Sequence, residues 1–211
     1  MIAETFKFIE EATKQIASNA EKSFLKITEG MDDGKSPESK FLEVGNGEST
    51  IQHESTLLPK NGGKWDGEAG DSVWHPDLDK IPKNLNPEQL DWGKIQENHE
   101  LNGVPFKDGY PVFSEIAEST VTIDDFSSDR DINFAQADRA GAEQWSKIEK
   151  DGQTDWKASE VNAYRKENNL TWHECEDMKT MELVPSEVHG NIPHQGGVSA
   201  FKKQNVINGD V

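Results

Sequence analysis

The chain has 211 residues and a formal net charge of −18, with 40 acidic residues against 22 basic ones. This charge has the wrong sign for a protein that binds DNA through a broad basic face, and the length excludes two large domains. Hydrophobic residues make up 33% of the chain, below the roughly 45–50% (glycine counted) of compact globular chains, so part of the length adds little to a core.

The acidic charge is unevenly distributed along the chain. Residues 125–211 hold 16 acidic and 10 basic residues, a net charge of −6, and residues 1–124 carry the remaining −12. Most of the electrostatic repulsion therefore lies outside the C-terminal part.

The first seven residues lack the basic start and the apolar run of a secretory signal peptide. No segment approaches the roughly 18 apolar residues needed to span a bilayer. The single cysteine, Cys175, excludes an intramolecular disulfide. We therefore expect a protein without a membrane span that is cytoplasmic in the cell producing it, and any secretion would use a non-Sec route.

Residues 1–30 are predicted to form an amphipathic helix, because apolar residues between 2 and 28 follow an alternating spacing of four and three. Such a seam is typical of a helix that docks on a helical partner or on the rest of a larger polypeptide. Packing on its own domain is the alternative. Residues 31–63 are polar and rich in Gly, Ser, Asn and Asp, which predicts a flexible linker.

Residues 64–124 are predicted to be an extended, strand-rich lead-in. Trp65 and Trp74 stand among turn residues, and we expect them to anchor a wrap on the domain surface rather than to stack on bases. Short apolar runs around residues 104–106, 112–113 and 119–123 are separated by Gly and Pro, as in short strands joined by turns.

Two helices are expected next. The first covers Asp131 to about Glu149, and the second is capped by Thr154 or Asp155, with Val161 facing inward.

A β-hairpin is predicted after these helices, with strands at residues 170–173 and 180–184 and a turn at 177–179. Pro185 suits the start of a short helix, which places His189 about one turn into it. His189 and His194 are five residues apart and cannot share a helical face, so an irregular turn is expected before a final helix.

Three of the six histidines, His173, His189 and His194, fall within this hairpin and turn. Each alone is more often a structural residue, but together they predict a site for a divalent metal ion. Neutral imidazoles favour Zn²⁺, Ni²⁺ or Mn²⁺ over bare Mg²⁺, so a transition metal is expected. Cys175 alternates with Glu174 along the strand and is expected to pack on the opposite face.

The ordered string LTWHE, M-x-LVP and H…PHxGG at residues 170–197 resembles the HNH/endonuclease VII superfamily, also called the His-Me finger or ββα-metal fold. It is most similar to the WHH branch and to the colicin-like DNase/tRNase toxin domains. The resemblance covers about residues 131–203, with residues 103–123 as a similar lead-in. It implies an α+β fold with a ββα-metal nuclease core at residues 125–211.

The resemblance also implies roles for individual residues. His173 matches the first metal-binding position, and His189 and His194 match the later ligands. Glu174 stands where the family usually has the histidine that takes a proton from water. Either Glu174 is this base, which we favour, or His173 is the base and a carboxylate such as Asp177 helps to hold the metal.

Four basic residues near the motif are candidates for phosphate contacts, with a solvated charged face as the alternative. They are Arg165, Lys166, Lys202 and Lys203.

The resemblance implies a metal-dependent endonuclease that acts as the toxin domain of an interbacterial, polymorphic-toxin type of system. DNA is favoured as the substrate over RNA or tRNA, and a cognate immunity protein is expected. The alternative hypothesis is a non-catalytic, acidic interaction protein whose degenerate finger holds a structural metal.

Overall fold

The computed structural model describes residues 57–208. The predicted N-terminal helix and most of the predicted linker lie outside the described residues. Within the described part, five α-helices and two small antiparallel sheets form an α+β fold, which confirms the predicted class. None of these helices is long and apolar enough to cross a bilayer.

The first sheet has four strands, which are β1 (Gly63–Trp65), β2 (Val73–Pro76), β3 (Val104–Lys107) and β4 (Tyr110–Pro111). They lie side by side in this order. A short helix, α1 (Trp92–Asn98), precedes β3 in the chain. Trp65 and Trp74 anchor this segment as expected, although the segment is part of a sheet rather than a wrap on the surface. Trp74 is buried in a core, with Trp65 edge-on against it at 5.3 Å between ring centroids, because β1 and β2 pair as an antiparallel hairpin.

The second sheet has the order β5-β7-β6, from β5 (Ser119–Thr122), β6 (Leu170–Glu174) and β7 (Thr180–Pro185). The predicted hairpin is confirmed, and Asp177 closes its turn by accepting hydrogen bonds from the amides of Lys179 and Thr180. The predicted boundary between residues 124 and 125 follows β5. Because β5 pairs with β7, the predicted lead-in and the predicted nuclease domain share one sheet.

Two helices, α2 (Arg130–Lys147) and α3 (Ala158–Glu167), pack on one face of this sheet. The first agrees with the predicted helix. The second begins a few residues later than predicted, because Lys157 is the N-cap and its amide donates to the Glu160 carboxylate at 2.7 Å. The core between the helices and the sheet includes Val121, Ala137, Trp145, Val161, Trp172, Met181 and Leu183.

The middle strand β7 is buried on both faces, so its alternate residues serve two cores. Leu183 packs in the core under α2 and α3, whereas Val184 packs with the residues of the first sheet and α1. Strand β6 alternates in the same way, with Trp172 on the helical side. His173 therefore faces the other side, where the chain continues into α4 (Ser186–His189) and α5 (Gly197–Asn208).

Candidate active site

The three predicted histidines converge at one point. His173 comes from β6, His189 from the end of α4, and His194 from the turn before α5. One ring nitrogen from each lies within 4.8 Å of the others, and His173 Nδ1 is 3.1 Å from His189 Nε2. The ring centroids are 4.7 to 5.2 Å apart. The structure thus brings together the residues predicted as metal ligands.

The buried ring of Phe113 packs against all three imidazoles. Its centroid lies 5.0 Å from that of His173, 5.7 Å from that of His189 and 5.6 Å from that of His194. These contacts hold the three imidazoles in place, and the aromatic ring adds no competing ligand to the cluster. The sequence pattern predicts a strand near Phe113 but contains no signal that connects this residue with the histidines.

The histidine cluster is held in the neutral form. The pKa of His173 is lowered to about 3, mainly by burial and also by the nearby His194 and Arg130. Burial also lowers the pKa of His189 and that of His194. Each uncharged imidazole keeps a lone pair that can bind a cation.

His194 is oriented by the backbone. Its Nδ1 lies 2.7 Å from the carbonyl oxygen of Ile192, so Nδ1 donates the proton there. Nε2 is then left with its lone pair, as in many histidine ligands whose second ring nitrogen is hydrogen-bonded.

These residues fit a divalent transition-metal ion. Catalytic zinc sites commonly have three protein ligands and one open position. Two nitrogens bound to one tetrahedral ion at 2.0–2.1 Å would be about 3.3 Å apart, close to the 3.1 Å between His173 and His189. The open side of the cluster faces a cavity of about 470 Å³ that the three histidines line.

A second group of potential ligand atoms consists of His173, Cys175 and Glu182, also within 4.8 Å of one another. Burial raises the pKa of the Cys175 thiol and the pKa of the Glu182 carboxyl. A protonated thiol is a poor metal ligand. This group therefore fits a metal less well than the three imidazoles.

Glu174 lines the same cavity, although it lies on the helical side of β6. Only 4% of its surface is exposed. One carboxylate oxygen accepts a hydrogen bond from Arg130 Nε at 3.0 Å, and the other accepts one from Asn133 Nδ2 at 2.8 Å. Sequence reasoning missed both partners, because neither differs locally from other polar residues at the start of a helix.

The carboxylate of Asp177 is engaged by the hairpin turn, where Thr180 and Lys179 donate to it. Among the described residues, the potential metal-binding groups do not include Asp177. The geometry therefore favours a structural role for Asp177 over a role in holding a metal with His173.

The four residues predicted to contact phosphate do not line the cavity. Arg165 forms an ion pair with the buried Asp138, which also accepts from Trp172 Nε1 at 2.8 Å, and this network favours a structural role. Lys166, Lys202 and Lys203 are exposed. Among the described residues that line the cavity, Arg130 is the only arginine or lysine.

A loop before α1 supports the turn between the second and third histidines. Asn84 donates its amide N–H to Asn191 Oδ1 and its side chain to the Gly190 carbonyl, both at 2.9 Å. Asn191 Nδ2 donates back to the Asn84 carbonyl. This reciprocal contact spans more than 100 residues of sequence, so no local pattern predicts it.

Comparison with known proteins places this site in a family context. Residues 103–196 match the family model of the DNase/tRNase domain of colicin-like bacteriocin. The chain has no match among curated proteins. The matched segment includes the three histidines, Glu174 and Arg130. Residues 103–196 are therefore similar to the colicin-like DNase/tRNase domains, which confirms the resemblance inferred from the sequence and supports a nuclease of the bacteriocin type.

Proposed function

We propose that the protein is a metal-dependent endonuclease of the HNH type that hydrolyses phosphodiester bonds. The observation that carries this proposal is the convergence of three neutral imidazoles on one cavity, inside the segment that matches a nuclease domain. A divalent ion bound there would stabilise negative charge on the phosphate and on the leaving oxygen.

The three histidines are proposed to hold the ion, with different supports for each. His173 is fixed by strand β6, His189 by helix α4, and His194 by its hydrogen bond to the Ile192 carbonyl. Because these ligands lie on a strand, on a helix and on a hydrogen-bonded turn, their geometry is fixed before the substrate binds. Such preorganisation favours catalysis.

Glu174 is proposed to take the proton from the attacking water. A carboxylate has about four lone-pair positions, and the hydrogen bonds from Arg130 and Asn133 use one on each oxygen. A water molecule in the cavity can therefore still donate to Glu174. The two protein donors fix the carboxylate, so the direction in which it would accept a proton is also fixed.

DNA is the proposed substrate because the motif is similar to HNH endonucleases. The matched domain is described as DNase/tRNase, so RNA, including tRNA, is the competing substrate. We further propose that the nuclease is the toxin of an interbacterial system, delivered by a non-Sec route. A cognate immunity protein would then protect the producing cell.

The test is a cleavage assay on plasmid DNA and total RNA with Mn²⁺, Ni²⁺, Zn²⁺ or Mg²⁺, and with EDTA in place of an ion. We expect cleavage by the wild type with a transition metal, and its loss in His173→Ala and Glu174→Ala. His75→Ala is a matched control, because His75 pairs with Asp66 away from the cavity.

The proposal fails if the wild type cuts neither nucleic acid with any of these ions. Zinc binding without cleavage would favour the alternative, an acidic interaction protein with a structural metal. Cleavage by Glu174→Ala at the wild-type rate would show that Glu174 is not the base.

A further inference from the structure

We propose that Leu57 and Leu85 form an apolar subsite on the wall of the histidine cavity, and that this subsite contacts the deoxyribose groups of a DNA strand. This inference rests on the proposed nuclease function and adds the feature that distinguishes DNA from RNA. Both leucines lie outside the segment, residues 103–196, that matches the colicin-like nuclease domain.

The first argument is the exposure of the two side chains. Among the exposed large hydrophobic residues of the described part, Leu57 and Leu85 are those that line the cavity. Their exposed fractions are 55% and 57%, and neither belongs to one of the two hydrophobic cores. A single exposed leucine is ordinary on a protein surface, but two in one cavity give its wall an apolar face.

The second argument is the distance from the proposed metal ligands. Gly190 directly follows His189, and a Cβ added at Gly190 would lie 3.2 Å from the Leu85 Cδ1 methyl carbon. In a nucleic acid, each bridging oxygen of a phosphodiester is bonded to a sugar carbon. A phosphodiester bound at the histidines would therefore bring its sugars to the adjacent wall, where Leu85 lies.

The third argument is the rigidity of the loop that carries Leu85. Asn84 is hydrogen-bonded to Gly190 and Asn191, and Asn169 Nδ2 donates to the Leu85 carbonyl at 2.9 Å. Leu85 has a φ of +50°, a left-handed conformation that is costly for a bulky side chain. Such strain persists where the surroundings impose it, and it is concentrated at functional sites.

Leu57 is also held by its surroundings. The next residue, Leu58, packs against the core of the first sheet, and the Pro59 carbonyl accepts a hydrogen bond from Trp65 Nε1 at 3.1 Å. Both leucines are thus presented in fixed positions before a ligand binds, which reduces the entropy lost on binding.

An apolar wall distinguishes deoxyribose from ribose. The C2′ atom of deoxyribose carries only hydrogen, so it packs on leucine methyl groups without losing a hydrogen bond. The 2′-hydroxyl of ribose would leave water for a surface that offers no donor or acceptor, which costs free energy. The subsite therefore favours DNA over RNA.

The test uses Leu85→Asn, Leu57→Asn and, as a matched control, Leu78→Asn. Leu78 is 55% exposed but does not line the cavity. Asparagine is chosen because it tolerates a left-handed backbone and offers a hydrogen-bond partner to a 2′-hydroxyl. Labelled single strands of DNA and RNA would have the same sequence, composed of A and C, so that they differ only at the 2′ position.

Affinity would be measured by anisotropy in EDTA and again with Zn²⁺, with gels to show that the strands stay intact. Cleavage of the same strands, and of DNA and RNA duplexes, would be measured with the ions of the cleavage assay. Thermal unfolding would check the fold of each variant, and Leu57→Asn decides the question if Leu85→Asn unfolds.

We expect the wild type to bind DNA about tenfold more tightly than RNA, and Leu85→Asn to lose most of this preference. Leu57→Asn should lose part of it, and Leu78→Asn should change the ratio by less than about twofold. In cleavage assays the loss should appear in KM for DNA rather than in kcat, because the sugar contact is the same in the bound substrate and in the transition state.

A wild type that prefers RNA would overturn the proposal, as would the absence of wild-type binding under both conditions. If the preference for DNA depends on Leu85 but the wild type cuts nothing, the nuclease function fails and the subsite stands. If the wild type cuts DNA and Leu85→Asn keeps the full preference for DNA, the nuclease function stands and the subsite fails.

Discussion

The histidine cluster should make the metal-free protein sensitive to acid well above the pH at which carboxylates titrate. Folding lowers the pKa of His173 to about 3 and the pKa of His189 well below its usual value, mainly by burial. Below pH about 6.5 the unfolded chain therefore binds more protons than the folded one. Stability that is present above this pH is lost as the pH falls.

The size of the effect follows from the pKa difference. Consider a histidine that stays neutral in the folded state at pH 5.0 and has a pKa of 6.5 in the unfolded state. It lowers the free energy of unfolding at pH 5.0 by about 2 kcal/mol. His173 and His189 together then lower the free energy of unfolding by about 4 kcal/mol between pH 7.5 and 5.0. The total free energy of unfolding of a small domain is roughly 5–15 kcal/mol, so this loss should be easy to measure.

The assay is urea unfolding in EDTA, followed by tryptophan fluorescence, at pH 7.5 and 5.0. Burial raises the pKa of Glu182, which stabilises the folded state on acidification and opposes the histidines. The decisive comparison is therefore with His189→Gln, which removes one imidazole and leaves Glu182 in place. Between pH 7.5 and 5.0, the free energy of unfolding of this variant should fall by about 2 kcal/mol less than that of the wild type. An equal loss in both proteins would refute the reasoning.

Three further predictions concern the metal and its supports. Zn²⁺ at 100 times its dissociation constant should raise the free energy of unfolding of the wild type by about 2.7 kcal/mol. In calorimetry this corresponds to a rise in Tm of roughly 5–10 °C. The same ion should not stabilise His194→Ala. Asn84→Ala should cost about 1 kcal/mol in urea unfolding and weaken Zn²⁺ binding in calorimetric titrations, because the turn before His194 loses the hydrogen bond that the Asn84 side chain donates to the Gly190 carbonyl. Phe113→Leu should cost about 1–1.5 kcal/mol by the same unfolding assay and also weaken Zn²⁺ binding, because the imidazoles lose their shared aromatic contact.

Matched variants separate these effects from general destabilisation. Asn86→Ala removes three hydrogen bonds, all of them within its own loop, so it should leave Zn²⁺ affinity unchanged. Phe106→Leu affects a ring in the same core that packs on Trp65. If Phe106→Leu weakened Zn²⁺ binding as much as Phe113→Leu, the aromatic support would have no special role.

The parts of the fold that could be predicted are those whose signal is local. Alternating β-prone residues on either side of an Asp-containing turn predict the hairpin, and Asp177 closes it with hydrogen bonds to residues two and three positions ahead. Pro185 marks the start of α4, and the five-residue spacing of His189 and His194 correctly indicates an irregular turn. These features depend on residues close together in sequence.

The supports of the site could not be predicted, because each comes from a distant segment. Asn84 binds a turn more than 100 residues away, Arg130 and Asn133 reach Glu174 across about 40, and Phe113 joins the histidines from the lead-in. A buried charge network such as Asp138 with Arg165 also has no local pattern, so Arg165 resembled a surface cation in the sequence. Tertiary packing decides these roles.

The structure also bears on how so acidic a chain could bind nucleic acid. The charges of Glu174 and Arg130 offset each other, and lowered pKa values keep the three histidines neutral at neutral pH. These five residues then carry no net charge together without an ion. Because neutral imidazoles do not cancel the charge of the ion they bind, a divalent ion would give this group two positive charges. Nucleic acid affinity should then depend on a local charge switched by metal binding, rather than on a broad basic face.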